Sequence, residues 1–110
     1  MLKVTFTESG QKLSLRLVGH AEYAEHGKDI VCASASILAS TVAYEVELID
    51  RLGGLKEPAV VKVESGDTEI TCVPTDEKLH IVKLLYDFAS TGLCLLAGNY
   101  PQYVRFNTLT

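Results

Sequence analysis

Hydrophobic and polar residues alternate at positions 2–6 and again at positions 13–17, on either side of a Glu8-Ser9-Gly10-Gln11 turn. A period of two residues is typical of strands that bury one face. We therefore predict an N-terminal β-hairpin. Its second strand ends at Val18-Gly19, and His20 lies just beyond it.

From about residue 32 to residue 52 the hydrophobic residues recur at spacings of three and four, which predicts an amphipathic helix. Gly53-Gly54 follows, and glycine is the usual residue just past a helix C-terminus. The predicted buried stripe consists of Ala35, Leu38, Ala39, Val42, Val46 and Ile49.

The second half of the chain repeats this order of elements. Residues 60–64 and 68–73 are rich in β-branched side chains and flank a Ser65-Gly66-Asp67 turn, which predicts a second hairpin. A second helix is expected after Pro74, with Thr75 as its N-cap and acidic residues in its first turn. Its stripe is Val82, Leu85, Tyr86, Ala89, Leu93 and Leu96, and the helix closes at Gly98-Asn99. Residues 100–109 are predicted to form a last strand, with Pro101 near its beginning.

The element order ββαββαβ predicts the fold class. Two helices with one apolar face each can cover one face of a mostly antiparallel sheet, which gives a two-layer α+β domain. The 110 residues fit one domain, 1–110. Hydrophobic residues make up 47% and charged residues 22% of the chain, which is ordinary globular usage.

Charge and hydropathy exclude two classes of partner. The formal net charge is −4 and no two basic residues are adjacent, so we expect no direct nucleic-acid binding. The N-terminus lacks the basic-then-apolar order of a signal peptide. The longest apolar stretch, 30–44, is diluted by serines and a threonine and ends at Glu45, so we expect no membrane span.

The cysteines indicate a reducing, cytoplasmic environment. Cys32, Cys72 and Cys94 are odd in number, widely spaced and without a CxxC pair, which fits neither a disulfide framework nor a zinc ribbon. Cys72 and Cys94 are expected to be buried packing residues. No metal site is expected, because His20, His26 and Cys32 lack the standard ligand spacings, and nothing indicates a cofactor.

An eleven-residue connection, 21–31, separates the first hairpin from the first helix. Typical connections have about four to six residues, and longer ones are often functional. His20 lies at one end and Cys32 at the other, so folding of the connection would bring both to one edge of the sheet. A helix N-terminus stabilises a thiolate, and a neighbouring imidazole can accept the thiol proton. These two residues are therefore a candidate nucleophile and base.

The residues alone leave alternatives open. A cysteine at the start of an apolar helix is commonly a packing residue, and a histidine after a strand is commonly exposed. Asp29 could orient His20, but an aspartate just before a helix is more often its N-cap. His26 is a rival base, although its position in the middle of the loop makes a fixed geometry harder. The amides of Cys32 or Ala33 could form an oxyanion hole.

The motif Gly19-His20-Ala21, Gly27, Asp29-Ile30-Val31-Cys32-Ala33 and Ser36 resembles the signature of the Prp family of ribosomal-processing cysteine proteases. The tail from Asn99-Tyr100 to Val104-Arg105-Phe106, the chain length and the element order also resemble that family. The similarity therefore covers essentially the whole chain.

The resemblance implies a specific activity. Members of the family remove a short N-terminal extension from ribosomal protein twenty-seven of the large subunit and cut after an aromatic residue, which implies an apolar pocket near the nucleophile. It also implies a homodimer. Carried to this sequence, the motif makes His20 the base and Cys32 the nucleophile. The supporting residues are Asp29, Ser36, the Ala33 amide, Gly19 and Gly27.

Two other functions fit the same residues. A non-catalytic, ribosome-associated module would hold a peptide tail in the same cleft and would tolerate Cys32→Ser. A redox-sensing thiol would need a second cysteine nearby in space, for which Cys72 and Cys94 are the candidates.

Overall fold

The structure, a computed structural model, describes residues 1–109 and has the predicted element order. The α+β fold class and the order ββαββαβ are therefore confirmed. The strands are β1 (Leu2–Ser9), β2 (Lys12–Val18), β3 (Val60–Glu64), β4 (Asp67–Cys72) and β5 (Val104–Leu109). The helices are α1 (Ile30–Arg51) and α2 (Leu79–Asn99).

The five strands form one sheet in the order β3-β4-β2-β1-β5. Three neighbouring pairs are antiparallel, whereas β1 and β5 are parallel. The sheet is therefore mixed and mostly antiparallel. This order leaves β3 and β5 as the two edge strands.

The core lies between the sheet and the two helices. Leu2, Val4 and Phe6 of β1 are buried, while the residues between them are more accessible, as the alternation predicts. Tyr86 of α2 is the largest fully buried side chain, and its hydroxyl donates to the Ile70 carbonyl oxygen at 2.9 Å. A buried phenol needs such a partner, and this bond joins α2 to β4.

The predicted start of α2 was wrong. The helix begins at Leu79, and Lys78 occupies the N-cap position without a side-chain cap. Thr75 Oγ1 lies 3.3 Å from the Lys78 amide, which also donates to the Thr75 carbonyl oxygen. Thr75 therefore stabilises a separate turn before the helix. The first turn of α2 contains no acidic residue.

The last strand begins later than predicted, at Val104 rather than at residue 100. The Tyr103 and Val104 amides both donate to the Tyr100 carbonyl oxygen, so this segment forms a turn after α2. The turn reverses the chain and allows β5 to pair with β1.

The three cysteines are free thiols in different environments. Cys72 is buried as predicted, and burial raises the pKa of its thiol. Cys94 is exposed, so the prediction of burial was wrong: its position on α2 falls beside the buried stripe.

Both helices also carry large apolar side chains on the side that faces away from the sheet. Helical spacing places these residues opposite the buried stripes. The mean hydropathies of α1 and α2, 1.3 and 1.4, and the lengths of the two helices reach those of membrane-spanning helices. The buried stripe of each helix nevertheless packs on the sheet, as in the core helix of a globular domain. The outer helix face consists of Ile37 and Tyr44 of α1 and Ile81, Leu84, Phe88 and Leu95 of α2.

Candidate active site

His20 is positioned by the backbone that precedes it. Gly19 has φ +93°, a conformation that favours glycine, and a Cβ there would lie 2.6 Å from the Met1 carbonyl oxygen. The Gly19 amide donates to the Gly66 carbonyl oxygen at 2.9 Å. This bond ties the end of β2 to the turn between β3 and β4.

The same turn supports the imidazole of His20. Gly66 has φ +75°, and a Cβ built on it would lie 2.8 Å from His20 Nε2. Only a residue without a side chain allows the ring to lie here. From the sequence, Gly66 was predicted only to be a turn residue, because no local signal connects it to a histidine that contacts it through strand pairing.

Asp29 is the N-cap of α1, which is one of the two roles predicted for it. Its Oδ1 accepts from the Val31 and Cys32 amides at 3.0 and 2.9 Å, and its Oδ2 accepts from the Tyr23 and Ala24 amides at 2.9 and 3.2 Å. Burial acts to raise the pKa of Asp29, but the four amide donors, that of Cys32 first, outweigh burial and lower it. The carboxylate thus joins the loop to the helix start.

Cys32 is the third residue of α1 and is partly buried. Its Sγ accepts a hydrogen bond from the Ala21 amide at 3.4 Å. Cys32 and His20 line one cavity of about 720 Å³ at the end of the sheet where β2 ends and α1 begins. Within residues 1–109, no hydrogen bond joins the two side chains directly.

The other predicted site residues lie around the same two side chains. Asp29, Ala33, Ser36 and Gly27 line this cavity, and Gly19 lines an adjoining one. His26, the rival base, lines both cavities, so the fold does not separate it from Cys32. In the described part of the chain, no group of three His, Cys, Asp or Glu side chains could hold a metal ion.

The amides at the start of α1 are already paired. The Cys32 amide donates to the Asp29 carboxylate, and the Ala33 amide donates to the Asp29 carbonyl oxygen at 3.0 Å. Neither is a free donor in this conformation. The oxyanion role of the Ala33 amide stays a prediction, and in this conformation the first backbone bond of the helix uses that group.

Ser36 offers a different donor. It lies one helical turn after Cys32 and lines the cavity. No hydrogen bond in the described residues engages its hydroxyl, whereas the Ser34 hydroxyl donates to the Ile30 carbonyl oxygen at 2.7 Å. The Ser36 side chain is thus available to a bound molecule.

The adjoining cavity, about 300 Å³, lies between the first turns of α1 and the strand ends. Its apolar lining includes Leu2 and Leu17 from the sheet, Ala35 and Ala39 from α1, and Val63 from β3. The alanines leave room that larger side chains would fill. The result is a pocket beside Cys32 with an apolar wall, called the apolar pocket below, whose lining also includes His26, Glu64 and Asp67.

The loop 19–29 is anchored at its tip as well as at its ends. The Tyr23 ring packs edge-on against the rings of Tyr100 and Tyr103, with centroid distances of 5.5 and 5.2 Å. Glu22 has φ +60°, which is uncommon for a residue other than glycine. The loop is therefore held in one conformation by the aromatic contacts and by Asp29.

The model of a protein family described as cysteine protease Prp matches residues 1–105. No curated protein matches the chain. The chain is 25% identical in sequence to an essential ribosomal processing protease Prp from S. aureus, whose crystal structure contains a covalently linked product peptide. The two structures match with a TM-score of 0.75 over 98% of this chain and 99% of that chain. A Streptococcus mutans protein is 27% identical with a TM-score of 0.70, covering 100% of this chain and 95% of that chain. The S. aureus protease with a substrate peptide has the same fold, at 23% identity and a TM-score of 0.67, with coverage of 98% and 99%.

Proposed function

This chain belongs to the Prp family of cysteine proteases, and on that premise we propose that it removes a short N-terminal extension from large-subunit ribosomal protein twenty-seven. The cut follows an aromatic residue. Cys32 is the nucleophile and His20 is the base. The substrate is made in the cytoplasm, where we expect this protein to act.

One observation carries the proposal. His20 and Cys32 reach the same cavity from two different elements, and Cys32 does so from the first turn of a helix. The Ala21 amide donates to Cys32 Sγ, and a hydrogen bond of this kind is stronger when its acceptor is negatively charged. A thiol in this position is suited to react as a thiolate.

The reaction is acyl transfer to water through a thioester. His20 accepts the Cys32 proton, and the thiolate attacks the carbonyl carbon of the aromatic residue that precedes the scissile bond. The His20 imidazolium then gives its proton to the departing amine. A water molecule, deprotonated by His20, hydrolyses the thioester and restores the thiol. The Ser36 hydroxyl donates to the carbonyl oxygen as negative charge develops on it.

The apolar pocket supports the preference for an aromatic residue. Its volume of about 300 Å³ accepts a ring, and its walls Leu17, Ala35 and Val63 would bury that ring beside Cys32. Burial of an aromatic side chain is among the larger contributions to binding. The pocket therefore selects the residue whose carbonyl is attacked.

We further propose that the protein is a homodimer that pairs through the outer helix face. Phe88 is 77% exposed, Tyr44 69% and Ile37 65%, which is unusual for apolar side chains that share one face. A membrane surface is a poorer partner, because α1 carries only one basic residue, Arg51, in its last turn. A second copy offers the same apolar face, as a two-fold interface requires.

The test uses the purified chain and a peptide that copies the N-terminus of the organism's ribosomal protein twenty-seven. Products are identified by mass spectrometry for wild type, Cys32→Ala, His20→Ala and His26→Ala. We expect wild type and His26→Ala to cut after an aromatic residue and the other two variants to leave the peptide intact. Binding without cleavage by wild type would instead establish a peptide-binding module. Loss of cleavage in His26→Ala alone would transfer the role of base to His26.

A further inference from the structure

We propose that the substrate peptide binds as an additional strand along the free edge of β3, next to the catalytic cavity. This inference rests on the proposed function, since it concerns how the same site holds its substrate. It assigns a binding role to β3, a strand that carries no residue of the family motif.

The backbone hydrogen bonding of β3 leaves one side of this strand open. This strand lies at one end of the sheet and, among residues 1–109, pairs only with β4. Glu64 and Asp67 flank the two-residue turn and form a hydrogen-bonded pair, so the pairing alternates from there along the strand. The backbone N–H and C=O groups of Val61 and Val63 therefore point away from β4, towards the free edge.

An open groove lies between β3 and α1. The register places Val63 opposite Thr68, on the face that α1 covers, yet Val63 is 53% exposed. The neighbouring side of α1 presents Cys32, Ser36 and Ser40, which line the pocket together with Val63. An added strand would cover Val63 and lie beside these small side chains.

This groove is continuous with the cavity that contains the nucleophile. Ser65, directly after β3, lines both cavities, and so do His20 and Cys32. A peptide paired with Val63 therefore runs into the space in front of Cys32. Alternate side chains of that peptide point towards α1, where the apolar pocket opens.

An extended peptide fits this edge better than a second copy does. Strand addition supplies affinity through backbone hydrogen bonds and leaves specificity to pockets for alternate side chains, which suits a protease that recognises one segment. A second copy paired at β3 would occupy the approach to Cys32. The other edge, β5, is separated from β3 by three strands and does not contribute to either cavity.

The first measurement is amide hydrogen exchange by NMR on full-length Cys32→Ala, which cannot cut the peptide, with and without the ribosomal protein peptide. We expect the Val61 and Val63 amides to exchange fast in the free protein and at least about tenfold more slowly in the complex. The Lys62 amide, already paired with β4, and the amides of β5 serve as internal controls. Unchanged exchange at Val61 and Val63 in a peptide-saturated sample would overturn the proposal.

The second measurement uses wild type and peptides with one N-methylated backbone amide at a time. Away from the scissile bond, N-methylation at alternate residues should lower kcat/KM about tenfold, because each removes one hydrogen bond to β3. N-methylation at the intervening residues should leave kcat/KM within about twofold. Equal sensitivity at all positions would contradict strand pairing.

The outcomes separate this inference from the proposed function. Cleavage without protection of β3 and without the alternating pattern would reject the added strand and leave the protease intact. Absence of both cleavage and binding would reject the proposed substrate, and the inference with it. Protection of Val61 and Val63 in the free protein that grows with protein concentration would assign this edge to a second copy and overturn the proposal.

Discussion

Two glycines illustrate how single residues position the base. Gly10 and Gly66 both occupy two-residue hairpin turns and both have positive φ, +60° and +75°. A Cβ at Gly10 would meet nothing within 4 Å, whereas a Cβ at Gly66 would press on the His20 ring. The two positions share a positive φ and differ in what lies beside them.

Gly66→Ala should therefore lower kcat/KM on the order of tenfold to a hundredfold, because it displaces the imidazole from its catalytic position. Gly10→Ala should cost about 1–2 kcal/mol of stability through the same backbone strain and leave activity unchanged. The measurements are the peptide cleavage rate and the thermal unfolding curve of each of the two variants. Equal activity losses would mean that contact with His20 is irrelevant.

The two serines at the start of α1 provide a second matched pair. Ser36→Ala should lower kcat about tenfold to a hundredfold with little change in KM, because its hydroxyl serves the transition state. Ser34→Ala should have no effect on kcat, since the Ser34 hydroxyl is bonded to the helix backbone. Steady-state kinetics on the ribosomal protein peptide distinguish the two. An effect on KM alone would assign Ser36 to ground-state binding.

Asp29 links pH to the stability of the site. Its folded-state pKa lies below 3.8, so its contribution to stability is complete above about pH 3.8 and is lost as the pH falls through the lower, folded-state pKa. The difference in unfolding free energy between wild type and Asp29→Asn should therefore be largest near neutral pH and shrink below about pH 3.8. Urea titrations across this range measure it. A constant difference would mean that the charge of Asp29 is irrelevant.

At the scale of elements, all seven helices and strands were predicted. Composition rich in β-branched residues, with a turn between the two segments, located β3 and β4, which do not bury a regular face. Periodicity located β1, β2 and the two helices, because each buries one regular face. It misplaced the start of α2, since a Thr75 hydroxyl that bonds a backbone amide three residues later has the same local signature whether a helix or a single turn follows. The sequence motif predicted that His20, Cys32 and Asp29 belong to one site. The roles of Gly66 and of the tyrosines that hold the loop were not predicted, because the residues they contact are distant in sequence.

Tyr23 makes the loop a testable element. Tyr23→Ala removes the edge-on contacts with Tyr100 and Tyr103, so hydrogen exchange of residues 21–29 should become faster and KM should rise about threefold to tenfold. Glu25→Ala, which removes only a surface ion pair with Lys28, is the control and should change neither. Slower cleavage without faster exchange would show that Tyr23 contacts the substrate rather than holding the loop.

At the scale of the whole molecule, the sheet layer and the helix layer carry different functional groups. The sheet holds the base, and the helix layer holds the nucleophile on one side and the outer helix face on the other. The sequence predicted the two layers and the element order. It did not specify that β1 and β5 pair in parallel, because strand neighbours depend on the closure of the whole chain.

The outer helix face predicts how the oligomeric state can be changed. Phe88→Glu places a charge in the middle of this face and should convert a dimer to a monomer at micromolar concentration. Val60→Glu, an equally conspicuous exposed apolar position on the sheet, should leave the dimer intact. Sedimentation equilibrium of both variants and wild type is the measurement. Dimers of unchanged strength in Phe88→Glu would exclude this face as the interface.

The parallel pairing of β1 with β5 also determines the order in which the chain can acquire its structure. β1 meets β2 through a tight turn, but its other side is completed only by residues 104–109, so that closure joins segments nearly the whole chain apart. Long-range pairing of this kind forms late and slowly. Until then the β1 edge is open to other strands, and refolding at high concentration should lose yield to aggregation through that edge.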